Sequence, residues 1–334
     1  MATFTAGAGS VDFDTLDLAP LASASSSGGA TSVTLSVGSV TTQLFGDGLQ
    51  PAASGPPTAG TITQIIVPGA YDIVGLSQSA AAFRGWVLAG DNGAAKAGLF
   101  SGSDVLTGSS SSDRLRAYDG ADTLNGAGGS DVLDGGEGDD DVFGGAGNDT
   151  LVDPGGSNYL RGEDGDDYVV GGAGFDDING NMGNDTAQGG PGDDWVVGGK
   201  DSDALYGDDG SDLVYGNLGD DTCHGGAGAD IVRGGQGNDT ITGGAGNDFV
   251  SGDRGDDTMT GGTGADLFHS SSDAGVDRVL DFSVAQGDRV ILDPGTTYTV
   301  SQVGADTVIQ LTAGQVILVG VTASTLPAGS IFLG

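Results

Sequence analysis

GGQGNDTITGGAGNDFVSGDRGDDTMTGGTGADLFH, from Gly234 to His269, returns to itself every nine residues, and the same unit runs back without insertion or deletion to Leu99. A fixed period is read before any single element, because it dictates the whole fold. Nineteen frames begin at Leu99, Gly108, Ala117 and so on to Gly261. The sixth place is Asp in eighteen of them and Asn158 in the other. The first place is Gly except at Leu99, Ala117 and Asp153, and the fourth is Gly except at Ser111 and Asp201. The eighth is Leu, Val, Ile, Met or Phe except at Ala187 and Cys223.

Each unit is therefore a glycine turn ending in Asp, followed by three extended residues with the middle one apolar. Glycine accepts positive φ, so the turn can curl with its carbonyls inward. In the short strand that follows, the central side chain points away from its two neighbours. Two units close one coil of 18 residues, and coils stack about 4.8 Å apart into two parallel sheets. The eighth-place residues then meet inside. The predicted fold is all-β: a parallel β-roll (a right-handed β-helix or solenoid) over residues 99–269, a small N-terminal α+β module over 1–98, and a C-terminal β cap over 270–334.

Aspartates stacked once per coil would repel, and bare inward carbonyls would lack partners. A hard divalent cation between coils cures both, since Ca2+ takes six to eight oxygens from carboxylates and carbonyls in loose geometry, whereas Mg2+ demands a tight octahedron. The candidate ligands are the sixth-place residues Asp104, Asp113, Asp122, Asp131, Asp140, Asp149, Asp167, Asp176, Asp185, Asp194, Asp203, Asp212, Asp221, Asp230, Asp239, Asp248, Asp257 and Asp266. A cation bridging frames two apart allows at most seventeen sites. Three frames are poor: DPGGSN carries the neutral Asn158, and LFSGSD and GSSSSD lack the full glycine set. Roughly ten to fifteen bound ions follow from the coordination argument. Because ligand carboxylates must be deprotonated, acid is expected to act like chelation and collapse the β structure.

The units resemble the nonapeptide G-G-x-G-x-D-x-U-x of RTX (repeats-in-toxin) proteins, a Ca2+-binding β-helix repeat. The resemblance covers 99–269, about half the chain. It implies export by type I secretion machinery through an uncleaved signal near the C-terminus, with folding on meeting calcium outside the cell. That places the protein in the extracellular space or at the cell surface.

The net charge is −37, and the repeats hold 35 of the 47 acids against six bases, Arg114, Arg116, Arg161, Lys200, Arg233 and Arg254. Bound calcium accounts for this acidity, which argues against a nucleic-acid partner. Acids outside the sixth place, such as Asp139, Asp193 and Asp209, read as a solvated acidic face. The one cysteine, Cys223, fills an eighth-place slot as a small apolar residue and excludes an intrachain disulfide. The first residues, MATFTAGAGSVDF, lack the basic and apolar regions of a cleavable signal peptide. No run of eighteen apolar residues marks a membrane span.

In the N-terminal module, SVTLSV (Ser32 to Val37) alternates as a strand, with loops read at SASSSGGA before it and PAASGPP after it. TITQIIV and YDIVGL form a predicted hairpin around Pro68-Gly69-Ala70. SQSAAAFRGWVL and DNGAAKAGLF read as two short helices. Thr61 to Ala97 is assigned to capping the open end of the solenoid, which would otherwise expose its edges. Beyond His269, DRVLDF, DRVIL, YTVSQV, DTVIQL, QVILVGV and SIFLG read as short strands of a C-terminal cap.

Catalytic signatures are missing. There is no H-E-x-x-H for a zinc protease and no G-x-S-x-G elbow. Residues 1–98 hold no His or Cys and six acids, Asp12, Asp14, Asp17, Asp47, Asp72 and Asp91, each read as a turn or capping residue, the alternative being paired carboxylates for glycoside chemistry and so an activity within residues 1–98. One outer face of the roll collects Phe143, Tyr159, Trp195, Val197, Leu213, Tyr215, Ile231, Phe249 and Leu267, and the other is rich in Thr. The expected function is non-enzymatic: a secreted calcium-binding β-roll in adhesion, a surface layer or a self-assembling matrix. Its partners are calcium, itself or a surface polysaccharide. The alternative is a targeting or secretion module of an extracellular polysaccharide-acting enzyme system, which activity on polysaccharide would favour.

Overall fold

Nine-residue periodicity becomes two stacks of parallel strands. The structure is a computed structural model that describes residues 102–271 and 275–334, together with the backbone of six strands between Thr3 and Ser79. It divides into two compact units, Met1–Asp153 and Pro154–Gly334.

In the first unit, Ser25–Gly29, Ser32–Val37, Val40–Phe45, Thr61–Val67 and Tyr71–Ser79 pair antiparallel in succession. Thr3–Ala6 lies antiparallel to Tyr71–Ser79 and parallel to Val105–Thr107, the first repeat strand. Val105–Thr107, Thr123–Asn125 and Asp141–Ala146 then stack in parallel, as do Arg114–Asp119, Val132–Glu137 and Thr150–Val152. The strand at Ser32–Val37 and the 61–79 hairpin match their predictions. Ser25–Gly29, expected as a loop, is a strand: its Ser and Gly side chains show no apolar pattern, and only pairing with Ser32–Val37 makes it one. Tyr71–Ser79 runs three residues into the first predicted helix. The rest of both predicted helices and the PAASGPP segment lie outside the described residues.

In the second unit, one sheet stacks Tyr159–Asp164, Asp177–Met182, Trp195–Lys200, Leu213–Leu218, Ile231–Gln236, Phe249–Arg254 and Leu267–Ser270 in parallel. The other stacks Tyr168–Val170, Thr186–Pro191, Ala204–Asp209, Thr222–Ala227, Thr240–Ala245 and Thr258–Thr263. Register is 18 residues per step, as in Val196↔Val214 and Val214↔Val232. Most strands are six residues long, twice the predicted length, because pairing resumes after the first-place glycine: Asn179↔Val197 is followed by Asn181↔Gly199. The fourth-place glycines are fixed by stacking as well as by φ. Gly246 has φ +144°, and a Cβ there would strike the Gly228 carbonyl one coil back. A side chain at that place would wedge the coils apart.

All nineteen eighth-place residues, from Leu106 to Phe268, are at most 1% exposed, Ala187 and Cys223 among them. The C-terminal segment carries this core past the last repeat. Val276–Val279 and Arg289–Leu292 extend the two sheets in parallel, and Gln315–Leu318 and Ile331–Leu333 add parallel strands beyond them. Thr299–Val303, Asp306–Gln310 and Gln315–Leu318 turn antiparallel, which ends the parallel stacking. Val279, Val290, Leu292, Ile309, Val316 and Leu318 are fully buried. The described residues contain no α-helix, and none of their helices is long and apolar enough to cross a membrane.

Packing this dense makes the eighth place sensitive and the outer faces tolerant. Leu205→Ala should lower stability by about 2–5 kcal/mol, whereas Thr242→Ala on the outer face should stay within about 0.5 kcal/mol. Chemical denaturation in the presence of calcium measures both.

Candidate metal centre

Every sixth-place Asp is buried at the turn between two strands, with side-chain exposure of 4% or less across all eighteen. Each is held from the neighbouring coil. The backbone N–H of Asp194 donates to Asp212 Oδ1 at 2.8 Å, and Asp212 N–H donates to Asp230 Oδ1 at 2.9 Å. The bonds repeat at 18-residue steps. In the first unit they link Asp104, Asp122 and Asp140, and separately Asp113, Asp131 and Asp149. In the second, one ladder runs from Asn158 through Asp176 to Asp266, and the other from Asp167 to Asp257.

The second carboxylate oxygen has a different fate. Oδ2 of Asp122, Asp131, Asp176, Asp185, Asp194, Asp203, Asp212, Asp221, Asp230, Asp239, Asp248, Asp257 and Asp266 is buried and accepts no hydrogen bond. It folds back over the first glycine of its own unit, and for Asp131, Asp194, Asp212, Asp221, Asp230 and Asp248 it shares that space with the carbonyl of the first-place glycine one coil on. A Cβ added at Gly243 would stand 2.6 Å from Asp248 Oδ2 and 2.7 Å from the Gly261 carbonyl oxygen. At Gly225 the same point lies 2.6 Å from both Asp230 Oδ2 and the Gly243 carbonyl. The first-place glycine is thus conserved along the repeat to leave space for the carboxylate, not to reach positive φ. Two acceptors face one small space with no hydrogen between them, an arrangement that burial makes costly.

Two poor frames show how a donor resolves the conflict. Asn158 Nδ2 donates to the Gly171 carbonyl at 3.4 Å, so a neutral amide bridges what a carboxylate cannot. In the GSSSSD frame, Ser109 N–H donates to Asp113 Oδ2 at 2.5 Å. Elsewhere a cation fits. Among the described residues no three acidic, His or Cys side chains gather at one point, so a bound ion must take much of its shell from backbone carbonyls. That donor set suits Ca2+.

Burial pushes these carboxyl groups well above their ordinary value near 4. Asp203 rises to about 8, and Asp122, Asp194 and Asp239 to about 7; the backbone N–H bond opposes the rise, and the charge of ladder neighbours adds to it. Asp131, Asp176, Asp185, Asp212, Asp230, Asp248, Asp257 and Asp266 rise to about 6, again chiefly by desolvation.

Sequence reasoning missed three features. Asp288 continues one ladder past the repeats, accepting from Asp266 N–H at 3.1 Å. Asp281 accepts from Gly261 N–H at 2.9 Å and Gly262 N–H at 2.8 Å, so a side chain takes these donors just past the end of the stacked strand Val276–Val279. The signal for Asp288 was present: D-R-V at Asp288 to Val290 keeps the acid and the apolar residue of the unit without its glycines. Third, fifth-place acids are not merely solvated. Asp193 Oδ1 accepts from Ser211 N–H at 2.8 Å and Asp220 Oδ1 from Asn238 N–H at 2.7 Å, forming an outer ladder that runs opposite to the inner one. Cys223 is a core residue, as expected, and burial raises its thiol well above the usual range.

Parallel sheets joined by glycine turns, with carboxylates facing carbonyls between coils, define a β-roll built to hold hard cations. The chain belongs to the family of the RTX calcium-binding nonapeptide repeat, whose four-copy model matches in overlapping stretches covering residues 100–151 and 155–276. No curated protein matches the chain. Among solved structures, the AlgE6R3 subunit of the Azotobacter vinelandii mannuronan C5-epimerase is 29% identical over 34% of this chain and 78% of its own, with a TM-score of 0.28. The extracellular lipase LipA from Serratia marcescens is 20% identical over 53% of this chain, with a TM-score of 0.27, and the match spans 40% of the lipase.

Acid and chelation, expected to act alike, part on this geometry. A carboxyl raised in the fold binds its proton more tightly there than in the unfolded chain. The metal-free fold is therefore favoured at low pH and loses that advantage as pH rises through about 6 to 8. In chelator at pH 8, circular dichroism should show the β signal lost. Lowering the pH to about 5, still in chelator, should restore part of it. A chelated chain as unfolded at pH 5 as at pH 8 would contradict the assignment.

Proposed function

We propose that this chain is a secreted, non-enzymatic calcium-loaded β-roll acting at or outside a bacterial cell surface, as an adhesion, surface-layer or self-assembling matrix component. It leaves through type I secretion machinery and folds on calcium after export. The observation that carries this reading is the facing of carboxylate Oδ2 and glycine carbonyl across successive coils, as between Asp248 and Gly261. Sixth-place Oδ2 atoms and first-place carbonyls are the calcium ligands in this reading. At least thirteen such oxygens among the described residues are without hydrogen bonds, which supports a number of ions on the order of ten to fifteen. Extracellular calcium modules bind at about 10⁻⁴–10⁻³ M, so such sites would stay empty in a cytosol and fill outside.

Among the described residues, the arrangement that resembles a catalytic set supports a non-catalytic role. Ser251 Oγ lies 3.0 Å from His269 Nδ1, and His269 Nε2 lies 3.2 Å from Asp293 Oδ1. Yet Ser251 is fully buried and its hydroxyl donates to Asp253 Oδ1 at 2.8 Å, a carboxylate already paired with Arg233. The hydroxyl has no open side for a substrate, and the set reaches solvent only through His269 and the half-exposed Asp293 at its far end.

The surface role is supported by the outer face of the second unit. Trp195, Leu213, Ile231, Phe249 and Leu267 stand in one register column over five consecutive coils. Trp195 is 53% and Ile231 45% exposed, and Phe175 meets the Trp195 ring edge-on at 5.8 Å. A continuous apolar column on a rigid sheet favours association. Light scattering with and without calcium tests the reading: the native chain should form calcium-dependent oligomers. The triple variant Trp195→Ser, Ile231→Ser, Phe249→Ser should stay small while binding as much calcium. A native chain that remains a monomer at every calcium concentration would contradict the self-assembling role.

A further inference from the structure

The nonapeptide pattern ends with the Gly261 to His269 unit, but one more carboxylate is buried in the roll beyond it. Asp277 is 0% exposed. It sits on Val276–Val279, the strand that stacks on Thr258–Thr263, and occupies the place of the sixth residue one coil after Asp257. Arg278 N–H donates to the Asp257 carbonyl at 2.8 Å, as Thr258 N–H does to the Asp239 carbonyl at 2.8 Å. The step from Asp257 to Asp277 is twenty residues instead of eighteen, and of the unit's glycines Gly275 keeps its fourth place, two residues before the acid and against the Gly255 carbonyl, while the first-place glycine is lost.

The pairing of Thr258 with Arg278 sets Asp277 beside Asp257, one coil on. Ser270 Oγ, itself buried, donates to Asp277 Oδ2 at 2.9 Å. Asp277 Oδ1 and Asp257 Oδ2 are both buried without a hydrogen-bond partner. Two buried carboxylates side by side need positive charge between them, because desolvated like charges cannot share a site unaided. Among the described residues no Lys or Arg pairs with either. We propose that Asp257 and Asp277 form a divalent-cation site outside the nonapeptide repeats, one that locks the C-terminal cap onto this edge of the roll. The proposal rests on the calcium reading of the repeats and deepens it, since Asp277 belongs to no repeat unit. Val276–Val279 also pairs with Gln315–Leu318, so an ion held here tightens the strand that joins the roll to the antiparallel end of the cap.

Calcium bound per full-length chain, counted by native mass spectrometry, tests this in the native protein and in Asp277→Asn. The variant should hold one ion fewer than the native chain, and amides of Val276–Val279 and Gln315–Leu318 should exchange faster. An unchanged ion count would overturn the site and leave the pair as a carboxylic acid sharing a proton, which an asparagine amide can imitate. A native chain that binds no calcium would instead sink the reading of the repeats. A second measurement needs no variant: in crystals of the native protein soaked with terbium, an anomalous peak between the two carboxyl groups supports the site. Peaks along the repeats with none at Asp257 and Asp277 overturn it.

Discussion

A carboxylate oxygen pressed against a carbonyl oxygen, with nothing to donate between them, is the constraint on which this structure depends. The backbone N–H of one coil anchors Oδ1 of the next acid, as Asp203 N–H does for Asp221. That bond fixes where Oδ2 must go, and the bare first-place glycine leaves it room beside another unit's carbonyl. The hydrophobic stripe of eighth-place residues stacks the coils, but the same stacking forces buried like charges together. Folding is therefore tied to whatever supplies positive charge, because an unpaired buried acceptor costs more than a typical hydrogen bond returns.

This conflict makes the fold conditional. A sequence of this acidity can stay open while its carboxylates are hydrated and close when a hard cation replaces that hydration. The poor frames locate the boundaries of the device: Asn158 and the Ser109 N–H satisfy the gap with ordinary donors. Past the last repeat, Asp281 offers its carboxylate to two glycine N–H groups where the next parallel strand stops. Along the outer turns, the fifth-place ladder of Asp193 and Asp220 adds hydrogen bonds running the other way, so each turn is tied to its neighbours in both directions.

Much of this was legible in the sequence, for physical reasons that differ from place to place. The apolar eighth residue announced its burial because nothing else in the unit can fill a core, and even Ala187 and Cys223 fit that slot. The sixth-place Asp announced a buried carboxylate ladder because no other residue varies so little. The two roles of glycine, backbone freedom and empty space, could not be assigned place by place, since a pattern of glycines does not say which is being kept where. Asp288 was missed because it keeps the acid and the apolar residue but not the turn. Ser25–Gly29 was missed because a strand held only by its neighbour's hydrogen bonds leaves no mark in its own side chains.

Hydrogen exchange of the ladder amides at neutral pH, with calcium and after its removal, tests the central claim most directly. The N–H groups of Asp176, Asp194, Asp212 and Asp230, each bonded to the carboxylate one coil on, should be protected with calcium and lose protection together when it is withdrawn. Protection that survives complete removal of divalent ions would show that the coils stand without cations, and would contradict the account.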